Sequence, residues 1–164
     1  MRSKTPRGIR NFNPGNIRHA KGVRWQGQAS TQIDAEFVQF TDPRWGIRAI
    51  ARVLITYQDK RRAADGSRID TVREIIARWA PPNENNTEAY VASVARVLNI
   101  GPDDESIDVY DFNTMRELVL GIIRHENGAG QLPDNQWYGE KLIQEGLAFA
   151  GVVPDALHGR SVAV

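Results

Sequence analysis

The chain contains no cysteine, which excludes a disulfide scaffold, a thiol nucleophile and any thiolate-bound metal. Its three histidines, His19, His125 and His158, form no HExxH pair. No metal site and no other cofactor is therefore expected. No apolar run approaches the roughly 20 residues of a membrane-spanning helix. The basic N-terminus MRSKTPRGIR lacks the apolar stretch of a signal peptide. Internal repeats and low-complexity segments are absent. The most uneven scarcity is of acid. The first 33 residues carry seven basic side chains (Arg2, Lys4, Arg7, Arg10, Arg18, Lys21, Arg24) and no carboxylate. A basic segment on an acidic body points to a polyanionic partner: nucleic acid, a membrane surface or an anionic wall polymer.

What is present fits one folded domain. The 164 residues are 41% hydrophobic and 25% charged, an ordinary globular balance that excludes wholesale disorder. A chain this long hides roughly 70% of its unfolded surface without covalent staples. Residues 1–164 are read as a single domain. Residues 1–6 and 155–164 lack apolar periodicity and are expected to be flexible.

Residues 1–15 are rich in Arg, Gly, Asn and Pro and read as irregular chain. Over 16–41 the pattern predicts a small antiparallel sheet. Asn16–Ala20 and Val23–Gln28 flank a Lys21-Gly22 turn, and Glu36–Thr41 alternates as a third strand. Five helices follow. The first starts at Asp42-Pro43 and carries Ile47, Ile50, Ala51, Leu54 and Tyr57 on one face. The second opens with a Thr71–Glu74 capping box and stops at Pro81-Pro82. The third follows the Asn-rich NENNT, and the fourth opens with another capping box, Thr114–Glu117, and ends at Gly128. The fifth spans about 137–150. The expected class is α+β, mostly α.

The fourth predicted helix singles out one carboxylate. Met115, Leu118, Val119, Ile122 and Ile123 form an apolar stripe, and its continuation by i+11 falls on Glu126. Burial and the negative end of the helix dipole both disfavour an anion there, as suits an acid that must deliver a proton. Glu74 and Glu117 are read as capping partners, and Asp103, Asp104 and Glu105 as a solvated loop cluster. Glu36, at the start of a strand, is the candidate second carboxylate.

The strings RGIRNFNPGNIR, WQG, WGIRA, RWAPPNENNTEAYV and IIRHENG resemble a group of phage-encoded proteins of the lysozyme superfamily, over roughly residues 7–145. Segments are also similar to Slt-type lytic transglycosylases in a different order. GIRAIARVLITYQ resembles a helix of that family, ENNTEAYVASV its E-T-x-x-Y-V motif, and IIRHENG its catalytic helix. That helix comes first in most of the superfamily and fourth here, which implies a circular permutation. No counterpart of the family's G-L-M-Q string is found.

The resemblance implies a lysozyme-like fold and a peptidoglycan-degrading glycosidase that cleaves the MurNAc–GlcNAc β-1,4 bond. Glu126 would be the catalytic acid, and Tyr90 would line the saccharide cleft. Asn13, Asn16 and Arg18 are candidates to hydrogen-bond sugar groups, against a purely local role in turns. Water attack would call on Glu36, making a muramidase. Attack by the muramic C6 hydroxyl would need one carboxylate alone and give a 1,6-anhydro end, making a lytic transglycosylase. The expected partners are bacterial peptidoglycan and other virion proteins, with the enzyme a monomer. It would be virion-borne, or made in the host cytoplasm and active on the wall from the periplasm. The rival expectations are a non-catalytic virion structural or DNA-associated protein, and a wall-binding module that does not cut.

Overall fold

The computed structural model describes residues 4–81 and 86–155. Among them are six α-helices: α1 (Arg7–Arg10), α2 (Pro43–Lys60), α3 (Val72–Trp79), α4 (Thr87–Leu98), α5 (Phe112–Asn127) and α6 (Glu140–Phe149). The expected flexibility of residues 1–6 and 155–164 concerns largely 1–3 and 156–164, which lie outside the described residues. So does much of the Asn-rich stretch before α4.

The sheet expected over 16–41 is not formed. Among the described residues there are only isolated antiparallel bridges, Arg18 with Phe37 and Gln28 with Phe40 in this region. The described chain is mostly α, not α+β, and the expected lysozyme-like pairing of a small sheet with helices is absent from it. Side-chain amides explain the outcome. The Gln32 side chain clasps the backbone of Gln39: Gln39 N donates to Gln32 Oε1 at 2.8 Å, and Gln32 Nε2 donates to Gln39 O at 2.7 Å. Gln39 Oε1 also accepts from Ile33 N, and Asp34 Oδ1 accepts from Glu36 N and Phe37 N. These bonds occupy groups that a ladder would need, so alternation alone does not produce strands. Val38 and Phe40 still point inward and are buried.

The helix starts follow from their caps, with one revision. Asp42 caps α2 by accepting from Arg44 N, with Pro43 in the first turn. Thr71 and Glu74 complete the expected capping box of α3. Helix α5 begins earlier than expected: Asp111 is its N-cap and accepts from both Thr114 N and Thr114 Oγ1. With Thr114 already engaged, Glu117 is no capping partner and pairs with Arg116 instead. The one-turn helix α1 lies in a segment expected to be irregular, because a four-residue helix leaves no periodicity to read.

Helix α5 runs through the core, and its stripe of Met115, Leu118, Val119, Ile122 and Ile123 is buried. It meets Ile47, Ile50 and Leu54 of α2 and Val94 of α4 within one apolar cluster. Helix α6 lies on α2, where Trp45 stacks on Phe149 at 4.7 Å and Arg44 pairs with Glu145.

One polar side chain ties this body together. Buried Gln58, near the end of α2, donates to Ile69 O (2.9 Å) and Ile107 O (2.8 Å) and accepts from Val109 N (2.9 Å). The segments leading into α3 and α5 are thereby fixed to α2. Gln58→Leu orphans three buried backbone groups, so urea unfolding should show a loss of at least about 3 kcal/mol. A loss below 1 kcal/mol would mean that the two segments are held by apolar packing alone.

Candidate active site

The NPGNIR stretch bends sharply because two of its neighbouring residues adopt left-handed backbone: Phe12 at φ 53° and Asn16 at φ 49°. Asparagine tolerates that conformation, whereas for phenylalanine it is strained. Asn13 is fully buried. Its Nδ2 donates to Ile17 O (3.0 Å) and Val38 O (2.8 Å), and its Oδ1 accepts from Ile17 N. That side chain serves the loop's own backbone.

Two contacts dock this loop onto the C-terminal end of α5. Asn127 Nδ2 donates to Pro14 O at 2.8 Å and to Ile123 O at 2.9 Å. Asn16 Nδ2 donates to Glu126 Oε1 at 3.0 Å. Residues 110 positions apart thus meet at the carboxylate that ends the apolar stripe. Glu126 is half-buried, at the margin of the core.

Around it opens a cleft of about 490 Å³ lined by Asn16, Arg18, Phe37, Tyr57, Trp79 and Glu126, among others. Glu126 is the single carboxylate among the described residues of its lining. Three aromatic side chains contribute to the walls, the usual platform for the apolar faces of sugars. Arg7 and Arg18 flank the Phe37 ring, with guanidinium carbons 4.7 and 4.8 Å from its centroid. Burial pushes the Tyr57 hydroxyl up from its ordinary pKa.

The other sequence candidates lie apart from this lining. Glu36 is exposed and held by Arg7 (3.1 Å) and Arg18 (3.2 Å). Those two guanidiniums, Arg7 first, pull its pKa down. Tyr90 is buried and stacks on His125 at 4.5 Å. Burial, and after it the charge of Glu126, raises its hydroxyl pKa. Its hydroxyl has no hydrogen-bond partner among the described residues. Tyr90 borders a second hollow of about 450 Å³ between α4 and α5, which Glu126 does not line. Among the described residues no cluster of three His, Asp or Glu side chains could hold a metal.

Sequence reasoning missed Asn127, Trp79, Tyr57 and Asp34 as contributors. Asn127 carried a signal, since it lies four residues after Ile123 on the stripe. Asp34 carried another, as the first acid after a long basic stretch. Arg7 binds it through Nε and Nη2, both at 2.7 Å, and Asn11 Nδ2 donates to it at 2.9 Å. The Arg7 guanidinium, with help from the backbone of Phe37, holds its carboxyl well below the usual range.

Protein P5 of Pseudoalteromonas phage PM2 is 36% identical to the chain over 129 residues, which is 77% of this chain and 74% of Protein P5. The chain belongs to the family of this phage protein. The phage origin expected from the sequence follows from that relationship, while the relative's name states no activity. No protein-family model matches the chain. Among its described residues, no helix is long and apolar enough to cross a membrane.

Two outcomes test how the P5-family loop is held. A depressed carboxylate contributes stability above its unfolded-state pKa, near 3.9, and loses it as pH falls below that value. Asp34→Asn should therefore lower the thermal midpoint at pH 7, and the gap to wild type should narrow below about pH 4. A gap that stays constant down to pH 2.5 would show that the Arg7–Asp34 pair contributes nothing. The second test is steric. A Cβ on Gly8 would come 2.6 Å from Asn127 Oδ1, 2.8 Å from Asn13 O and 2.9 Å from Asn16 Oδ1. Gly8→Ala should cost about 1–3 kcal/mol in urea unfolding, and an unchanged midpoint would contradict the close approach.

Proposed function

We propose that this protein cleaves the β-1,4 bond between MurNAc and GlcNAc in bacterial peptidoglycan, with Glu126 as general acid and then general base. The observation that carries the reading is Glu126 itself: a half-buried carboxylate hydrogen-bonded by Asn16 in an open cleft with aromatic walls. The resemblance of IIRHENG to the catalytic helix of the lysozyme superfamily supports the same residue.

On this reading the hydrogen bond divides the work between the two oxygens. Oε1 accepts from Asn16, so in the neutral acid the proton belongs on Oε2. From there it passes to the glycosidic oxygen as the bond to the anomeric carbon breaks, its electron pair leaving with that oxygen. The oxocarbenium-like centre is then trapped by a nucleophile whose proton returns to Glu126. With Glu126 the single carboxylate in the described lining, and Glu36 engaged by two arginines, the favoured nucleophile is the muramic acid C6 hydroxyl. The product would carry a 1,6-anhydro end. Phage origin fits an enzyme that opens the host wall from the virion or at lysis.

Incubating wild type and Glu126→Gln with purified peptidoglycan, and weighing the released muropeptides, tests this. Wild type should release 1,6-anhydro ends, and Glu126→Gln should release at least about 10²-fold less, within the ~10²–10⁴ range of general acid catalysis. Water adducts together with a comparable loss in Glu36→Gln would replace the single-carboxylate route by hydrolysis. No release by wild type would favour a structural virion protein or a non-cutting wall-binding module.

A further inference from the structure

Beside the cleft lies a larger hollow, about 650 Å³, whose chemistry differs. Four guanidiniums line it, from Arg24, Arg48, Arg52 and Arg61, and no carboxylate does. None of the four arginines here forms an ion pair among the described residues. Among the described residues the Arg52 guanidinium donates only to Ala150 O, and that of Arg61 only to the Lys60 carbonyl. Arg48 Nε is buried and has no hydrogen-bond partner among the described residues.

Such a cluster costs folding energy. Arg48 and Arg52 are four residues apart on α2, so their like charges face each other. Burial, and then the charge of Arg52, pulls Arg48 below its ordinary pKa. A buried donor left unsatisfied beside a second cation is unfavourable unless something anionic fills the gap. Guanidiniums pair in two-pronged fashion with carboxylates and phosphates.

Position then narrows the anion. Val53 and Tyr57 line both this hollow and the cleft of Glu126, so one ligand can occupy both. Where a glycan strand carries stem peptides, the lactyl carboxyl of each muramic acid is tied up in an amide, so its free carboxylates sit on the peptides that branch from it. We propose that the Arg24–Arg48–Arg52–Arg61 hollow binds the carboxylates of a peptidoglycan stem peptide while its glycan lies in the neighbouring cleft. The assignment rests on the glycan-cleaving reading of that cleft.

The test titrates a soluble stem tetrapeptide, the same peptide with its carboxylates amidated, and a glycerol phosphate oligomer into wild type, Arg24→Gln and Arg48→Gln. Arg24 is exposed, so its replacement leaves the fold untouched even if Arg48→Gln proves unstable. The free-acid peptide should bind wild type, and amidation or either substitution should weaken it roughly tenfold. Equal affinity for acid and amide, or variants that bind like wild type, would overturn the proposal. Tighter binding of the phosphate oligomer would also overturn it, and would assign the hollow to a phosphate-bearing wall polymer. Muropeptide release is scored separately. Peptide binding without release sinks the glycosidase reading and leaves the anion site standing, whereas release without peptide binding does the reverse.

Discussion

The site depends on how a short loop is seated at the end of one helix. Helix α5 brings an apolar stripe to a polar finish, Glu126-Asn127, and both residues grip the NPGNIR loop. Asn127 holds the carbonyl of Pro14, which fixes the height of the loop against the core. Asn16 then reaches the carboxylate, which fixes its orientation. Each interaction is a modest hydrogen bond, yet together they define which oxygen of Glu126 is engaged. The left-handed backbone of Asn16 and the missing side chain of Gly8 are local consequences of this seating.

Behind the loop, charge is used twice in opposite ways. Arg7 and Arg18 belong to the acid-free N-terminal stretch, but neither is free to meet a distant polyanion. Asp34 and Glu36, the first acids of the chain, absorb them. The pairs sit over Phe37, so the same guanidiniums brace one wall of the cleft. Arg24, from the same stretch, meets no acid among the described residues and joins three cations of α2 and its C-cap instead. The exposed pairs with Glu36 add little to stability, and their value is in placing Phe37, whereas the less exposed Arg7–Asp34 pair also holds the loop.

Much of the helical body was legible because burial imposes a period of 3.6 on side chains. The stripe of α5 and the starts of α2 and α3 follow directly from it and from their caps. The sheet was not legible, because strand alternation says only which side chains turn inward. It does not say what satisfies the backbone between them. Gln32, Gln39, Asn13 and Asp34 supply those hydrogen bonds here, and polar side chains in an alternating run are ambiguous between the two roles. The start of α5 was misplaced for a related reason: Asp111 and Thr114 are both good caps, and only three dimensions show that one caps through the other.

The candidate site divides along the same line. Glu126 was readable because a carboxylate continuing an apolar stripe is a local anomaly. Asn16 could be suspected from its motif, but its partner lies 110 residues away, and no local pattern carries that pairing. Tyr57 and Trp79 looked like core anchors because they end helical stripes. At a helix end, however, the stripe runs out of core, and its last aromatic faces whatever lies beyond. Here that is the cleft. The same geometry that exposes Glu126 therefore exposes these rings, so acid and aromatic walls come together where several helices stop at once.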